Sequence, residues 1–271
     1  MTTTIQHLTI SGPAGDIALK IQGDPSAPAV FMTHSILSSS MMWDEQAALL
    51  AAKGYRAIRA DTRGHGASHA GVSPYTMGDL VADTVAALDA LKIERAHYIG
   101  LSLGGMSGLG LGIAHANRLL SLCICDARAD APPAVAAPWD ERIAIALKDG
   151  CAVLAQPTIE RWFGTAFLDA NPAIADRFRN TASATSAVGF IGSARAIQGL
   201  DYLSQLLVIS TRTTLIVGAN DGPLPQAMKD MQALISGAAL EVIPGSGHLP
   251  NIDNPQAFNA AMLRHFSSTE K

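Results

Sequence analysis

The chain has 271 residues, 48% of them hydrophobic and 15% charged, with a formal net charge of −4. That is enough apolar material for one large core with an insertion, near the upper size of a single domain. It leaves no basic surplus to neutralise a phosphate backbone and no long acidic tail, so nucleic acid is not an expected partner.

The opening Met1-Thr-Thr-Thr-Ile-Gln-His7 lacks the basic and apolar regions of a secretory leader, which points to a cytoplasmic chain. Residues 27–33 and 55–60 read as strands, with a helix over 43–52 between them. A second helix is expected over 75–91, where Leu80, Val81, Val85, Leu88 and Leu91 recur at helical spacing. Residues 96–101 form a strand, 106–117 a helix and 119–125 another strand. The uncharged stretch 96–117 is interrupted by Gly100, Gly104, Gly105, Gly108, Gly110 and Gly112, so it is not read as a membrane span. Cys123 and Cys125 alternate along one apolar run and Cys151 stands alone, a pattern of buried thiols rather than of disulfides or a zinc site.

From Arg128 to Leu203 the strand signal vanishes. Ala131-Pro-Pro-Ala-Val-Ala-Ala-Pro138 leads into helical segments carrying Trp139, Trp162, Phe163 and Phe167. Strands return at 213–217 and 240–243, and a closing helix over 254–266 has Asn254 as N-cap and Pro255 in its first turn. This alternation predicts an α/β fold with a mostly parallel central sheet and helices on both faces. The interruption predicts an inserted helical cap over residues 128–203, with the core built from 1–127 and 204–271.

Gly100-Leu-Ser102-Leu-Gly104 lies where a strand turns into a helix, the context a nucleophile elbow requires. A sharp turn lifts the serine hydroxyl above the sheet edge, and small residues on either side let strand and helix approach. Ser102 is therefore the candidate nucleophile. Gly108-Leu-Gly110-Leu-Gly112 falls within the helix, where such spacing serves close packing rather than a dinucleotide.

A serine hydroxyl needs a base. Of the eight histidines, His248 has the best placement, in Pro244-Gly-Ser-Gly-His248 directly after the last strand. His65 and His69 lie in a Gly-containing loop and are not expected to hold a metal. The base needs an orienting carboxylate. Asp221 follows the strand over 213–217 and is preferred, and Asp126, which also follows a strand, is its rival. The main-chain N–H groups of Leu103 and of Ile36, in the loop His34-Ser35-Ile36-Leu37, are the expected oxyanion donors. Asp61-Thr-Arg63-Gly-His65 also follows a strand; Arg63 could meet a substrate carboxylate, but bracing of the turn by Asp61 and Arg63 is the better reading.

With these motifs in place the chain resembles the α/β-hydrolase family over its whole length, and within it the 3-oxoadipate enol-lactonases. The likeness rests on His34-Ser-Ile36 with Met42-Trp43-Asp44, on Asp61-Thr-Arg-Gly-His-Gly-Ala-Ser68 and on Gly100-Leu-Ser-Leu-Gly-Gly105. It continues through Trp139-Asp-Glu-Arg142, Gly218-Ala-Asn-Asp221 and His248-Leu-Pro-Asn-Ile-Asp-Asn-Pro-Gln-Ala-Phe258. The order Ser102, Asp221, His248 is that of the family. The resemblance implies cofactor-free hydrolysis of a small carboxylated lactone or ester through an acyl-enzyme on Ser102, with Trp139 and Arg142 as contacts for the substrate's carboxylate. By their own residue types, both could instead be ordinary cap residues. One departure bears on the acyl pocket: where these lactonases usually carry a glycine just after a Ser-Leu pair, Ile36-Leu37-Ser38-Ser39-Ser40 has none. The same triad also serves general carboxylesterases, carbon-carbon hydrolases and perhydrolases, and the scaffold can serve as a small-molecule receptor.

Overall fold

The computed structural model describes residues 4–267. Met1, Thr2 and Thr3, on which the leader reading partly rests, lie outside that range. The strands are β1 (Gln6–Gly12), β2 (Gly15–Gln22), β3 (Ala29–Thr33), β4 (Arg56–Ala60), β5 (Ala96–Leu101), β6 (Leu119–Cys125), β7 (Thr213–Gly218) and β8 (Ala239–Ile243). They form one sheet in the order β1-β2-β4-β3-β5-β6-β7-β8. From β4 across to β8 every pairing is parallel, and only β1 with β2 and β2 with β4 run antiparallel. The expected α/β sheet is therefore present.

In the sheet centre β3, β5 and β7 are buried at every position, as continuous apolar runs predict for strands covered on both faces. The sequence reading assigned no strands to β1 and β2. In β1 most residues are exposed, whereas β2 carries an alternation of Ile17, Leu19 and Ile21 toward the core.

The helices are α1 (Asp44–Ala52), α2 (Met77–Ala90), α3 (Leu103–Ala114), α4 (Pro133–Ala136), α5 (Pro138–Asp149), α6 (Ala152–Phe163), α7 (Thr165–Ala170), α8 (Pro172–Ser183), α9 (Ala187–Gln198), α10 (Leu224–Leu234), α11 (Pro250–Asp253) and α12 (Pro255–Ser267). Helix α2 starts with a capping box in which Thr76 and Asp79 satisfy each other's backbone N–H groups. Asn254 caps α12 as expected, its Oδ1 accepting from Ala257 N–H at 3.3 Å. The expected helix over 106–117 begins instead at Leu103 and ends at Ala114. The elbow at Ser102 turns so sharply that no connecting residues intervene. Gly108 lies in α3 against the sheet: a Cβ there would stand 2.5 Å from the Tyr98 ring, so the glycine serves packing.

Between β6 and β7 the chain is helical. Among the described residues, its one β pairing is a single bridge from Asp130 to Asp201, where the chain leaves the sheet and returns to it. Tyr202 N–H donates to Ala129 C=O at 2.7 Å and Ala131 N–H to Leu200 C=O at 2.9 Å across the same neck. Asp44 on α1 pairs with the fully buried Arg59 of β4 and with Arg177 of α8, tying this helical segment to the sheet.

Arg63 does not face a substrate cavity. Its Nε and Nη2 bind both oxygens of Asp83 at 2.6 and 2.7 Å, and Asp61 accepts from Ser40 N–H and Ala67 N–H. These are the braces expected of that turn. His97 and His265, which had no suggestive neighbours in sequence, meet across the core through Ser121 Oγ, at 2.7 Å each. All three cysteines are free and buried.

The elbow depends on glycine at position 100, where a Cβ would stand 2.2 Å from the Gly104 carbonyl oxygen and 2.8 Å from Gly105 N, both backbone atoms that cannot yield. Gly100→Ala is expected to destabilise the fold by about 1–3 kcal/mol or more, lowering Tm by several degrees. A thermal melt superimposable on wild type would contradict this account of the elbow.

Candidate active site

Three loops at the carboxyl ends of β5, β7 and β8 meet at one sheet edge. Ser102 follows β5 at φ 57°, ψ −115°, a conformation L residues rarely adopt. Two main-chain bonds hold it: Ser102 N–H donates to Cys125 C=O, and Met106 N–H donates to Ser102 C=O, both at 2.8 Å.

His248, in the loop after β8, is buried, and its Nδ1 lies 2.6 Å from Asp221 Oδ2. The pair is therefore His248 with Asp221, not with Asp126. At 2.6 Å the contact is a charge-assisted hydrogen bond; two donors sharing a metal at about 2 Å each would stand further apart. Asp221 belongs to the turn after β7, which is stitched to the histidine loop by Asn220 N–H donating to Ser246 C=O at 2.8 Å.

Two further groups orient the loop. His248 N–H donates to Trp162 C=O on α6 at 2.9 Å, and the Trp162 ring stacks on the imidazole with centroids 6.4 Å apart. Asp253 Oδ2 accepts from Gly247 N–H at 2.7 Å. His248 Nε2 is buried and has no hydrogen-bond partner among the described residues, Ser102 Oγ included. Burial holds the imidazole below its ordinary pKa of 6.5, with the Asp221 charge opposing. Burial works most strongly against the Asp221 charge, but His248, the Arg161 charge and Asp126 together hold that carboxyl below the usual range.

Ile36 lies in the loop after β3, and Leu103 directly follows Ser102 at the start of α3. Their main-chain N–H groups donate to no protein acceptor among the described residues, while Gly104 N–H is taken by His34 C=O at 3.1 Å and Ser35 N–H by Met42 Sδ at 3.4 Å. The His34 ring fixes the loop, with Nδ1 at 2.8 Å from Ser35 C=O and Nε2 accepting from Thr62 N–H at 2.9 Å. Leu37 has φ 60°, so the loop takes a glycine-like turn although the glycine is missing.

A cavity of about 320 Å³ opens on Ser102, His248, Asp221 and Ile36. Its outer wall comes from the helical segment, including Trp139, Arg142 and Arg161. The Arg142 guanidinium lies 4.6 Å from the Trp139 ring centroid, and its Nη2 donates to Thr158 Oγ1 at 3.0 Å. Neither Arg142 nor Arg161 has a carboxylate within ion-pair distance among the described residues. Burial, with the Arg161 charge adding to it, brings the Arg142 pKa down to about 10. Two unpaired cations on a mostly apolar wall suit a ligand that brings a negative charge.

Ser102, Asp221, His248, Ile36, Trp139 and Arg142 thus border one cavity, whereas Leu103, next to Ser102 in the chain, is not among its lining residues. The sequence reading does not single out Arg161, Trp162 or Asp253 for the site, although Arg161 lines the cavity and Trp162 and Asp253 contact the histidine loop. Trp162 was noted only as a helical aromatic, and no spacing in the sequence marks its contact with the distant histidine loop.

A family model described as the alpha/beta hydrolase fold matches residues 28–255. A 3-oxoadipate enol-lactonase of Acinetobacter baylyi is 34% identical over 261 residues, 94% of this chain and 96% of that protein. Among solved structures, a hydrolase from Pseudomonas aeruginosa is 34% identical with a TM-score of 0.91, covering 96% of this chain and 98% of its own. The enol-lactonase from Burkholderia xenovorans is 28% identical, also with a TM-score of 0.91, covering 96% of this chain and 100% of its own. The chain belongs to the α/β-hydrolase fold family. Within that family it resembles the enol-lactonases.

A base must be neutral to accept a proton, so activity is expected to fall as pH drops through the histidine pKa, and burial puts that midpoint below 6.5. A kcat/KM profile against pH with its acid midpoint well above 6.5 would contradict the charge balance around His248.

Proposed function

We propose that the protein hydrolyses a small carboxylic ester or lactone bearing a carboxylate, through an acyl-enzyme on Ser102. The observation that carries this reading is the buried His248–Asp221 pair, whose free Nε2 and the Ser102 residue border one cavity. Family membership and the likeness to enol-lactonases support it.

In this reading Asp221 holds His248 in the tautomer with Nδ1 protonated, leaving Nε2 to take the Ser102 proton as Oγ attacks the substrate carbonyl. The Ile36 and Leu103 N–H groups receive the negative charge that develops on the carbonyl oxygen. His248 then returns the proton to the leaving alkoxide or enolate and afterwards activates water to release the acid. In a lactone the leaving oxygen stays tethered to the acyl group, so one product results. Residues 128–203 act as the cap, with the neck at Asp130 and Asp201 as its base. Trp139 and Arg142 meet the substrate's carboxylate, and Arg161 adds a second positive charge. No cofactor or metal is required. The substrate reaches this site as a free small molecule, and no helix among the described residues is long and apolar enough to cross a membrane.

Ser102→Ala is expected to abolish turnover of an activated short-chain ester while leaving the melt unchanged; retained turnover would point to another nucleophile. Arg142→Ala is expected to raise KM about tenfold to a hundredfold for a carboxylated ester and much less for its neutral analogue. Equal effects on both esters would remove Arg142 from carboxylate binding. Assays with enol-lactone, aryl ester and ring-fission dienoate side by side separate lactonase from esterase and carbon-carbon hydrolase activity.

A further inference from the structure

Asp126 directly follows β6, next to the elbow, and the triad reading leaves it without a task. It is fully buried and holds a positive φ of 43°. Its Oδ1 accepts from Gly218 N–H at 2.8 Å, at the strand end that leads into Asp221. Its Oδ2 is buried and accepts from no donor among the described residues. One side-chain donor or acceptor atom from each of Asp126, Asp221 and His248 lies within 4.8 Å of the others.

Two buried carboxyl groups this close cannot both remain ionised, because each charge disfavours the other where water cannot screen them. Asp221 has the stronger claim to the charge, with the His248 ring nitrogen at 2.6 Å. Asp126 has one neutral N–H. Resting on the triad reading, we propose that Asp126 is a positioning residue that carries a proton on Oδ2 and offers it to the Asp221 oxygen not engaged by His248. The two acids then present a single negative charge, held in one direction, to the imidazole.

The groups around Asp126 agree with this assignment. Asp221 faces it from the turn after β7, His248 from the loop after β8 and Asp253 from α11, while Arg128 on its own loop is engaged by Asp130 at 2.9 Å and Arg161 reaches the cavity from α6. Burial first, and the Asp221 charge second, push the Asp126 carboxyl well above the ordinary carboxylate range.

Asp126→Asn preserves both bonds of the protonated acid, with the amide oxygen for Gly218 N–H and the NH₂ for Asp221. Its kcat is expected within about threefold of wild type, with an unchanged acid limb. Asp126→Ala removes the donor and concentrates the Asp221 charge on the histidine side. Its kcat is expected to fall about tenfold at nearly constant KM, and its acid limb to move to higher pH. Infrared spectra of the wild-type protein are expected to show the carbonyl band of a buried protonated carboxylic acid that Asp126→Asn lacks; this measurement needs no turnover.

A loss of about a thousandfold or more in Asp126→Asn, with Asp221→Asn tolerated, would make Asp126 the ionised partner of His248 and overturn the assignment. So would a missing infrared band, or wild-type kcat and pH profile in Asp126→Ala. Failure of the triad reading itself shows separately, as turnover retained in Ser102→Ala.

Discussion

The site is organised by the backbone at Ser102, which is held at φ 57°, ψ −115° between a fully buried strand and the first turn of α3. A lone residue in that conformation costs on the order of 1–3 kcal/mol. It persists because its surroundings over-determine it: Ser102 N–H is bound to Cys125 C=O, and Gly100 and Gly104 bring strand and helix closer than any side chain would allow. Helix α3 begins at once after the turn, which places its N-terminus and the Leu103 N–H directly after the serine; in the proposed function these receive the charge developing on the carbonyl oxygen. The turn that strains the chain also sets the buried serine on the cavity wall.

Electrostatics around this point are sparse and directed. His248 is buried with its Nδ1 on Asp221, its peptide N–H on Trp162 and its loop on Asp253, so three elements set the direction of Nε2. Because Trp162 belongs to α6, the helical segment both lines the cavity and supports the histidine. Arg142 and Arg161 come from the same segment and have no carboxylate within ion-pair distance among the described residues. In the proposed function a ligand carboxylate meets these cations, so substrate selection and support of the histidine are coupled through α5 and α6 of one helical segment.

Much of this was legible in the sequence, and the reason differs by element. β3, β5, β6 and β7 are apolar runs because both sheet faces are covered, and such runs stand out. The elbow was legible because its glycines are a local steric requirement, and Asp221 and His248 because each follows a strand within a turn-rich loop. β1 was obscured by its exposed residues, and β2 by a Gly-Pro-rich approach despite Ile17, Leu19 and Ile21 alternating in plain view. The start of α3 was misplaced by three residues because no propensity rule anticipates a helix that begins on a strained serine. Arg161, Trp162 and Asp253 act through contacts between segments distant in sequence, which leave no local spacing behind. The missing glycine in the Ile36 loop was visible as a departure, but only the backbone shows Leu37 adopting the left-handed turn in its place.

The central claim is that Ser102, His248 and the two main-chain N–H groups act together on one reacting carbonyl. The most direct measurement is a crystal structure of the protein after reaction with a p-nitrophenyl alkylphosphonate, which stays on an activated serine as a tetrahedral adduct. The account predicts phosphorus bonded to Ser102 Oγ, one phosphoryl oxygen at about 2.7–3.1 Å from both the Ile36 and Leu103 nitrogens, and His248 Nε2 within hydrogen-bond reach of Ser102 Oγ. An adduct on another residue, or a phosphoryl oxygen turned away from those two nitrogens, would contradict it.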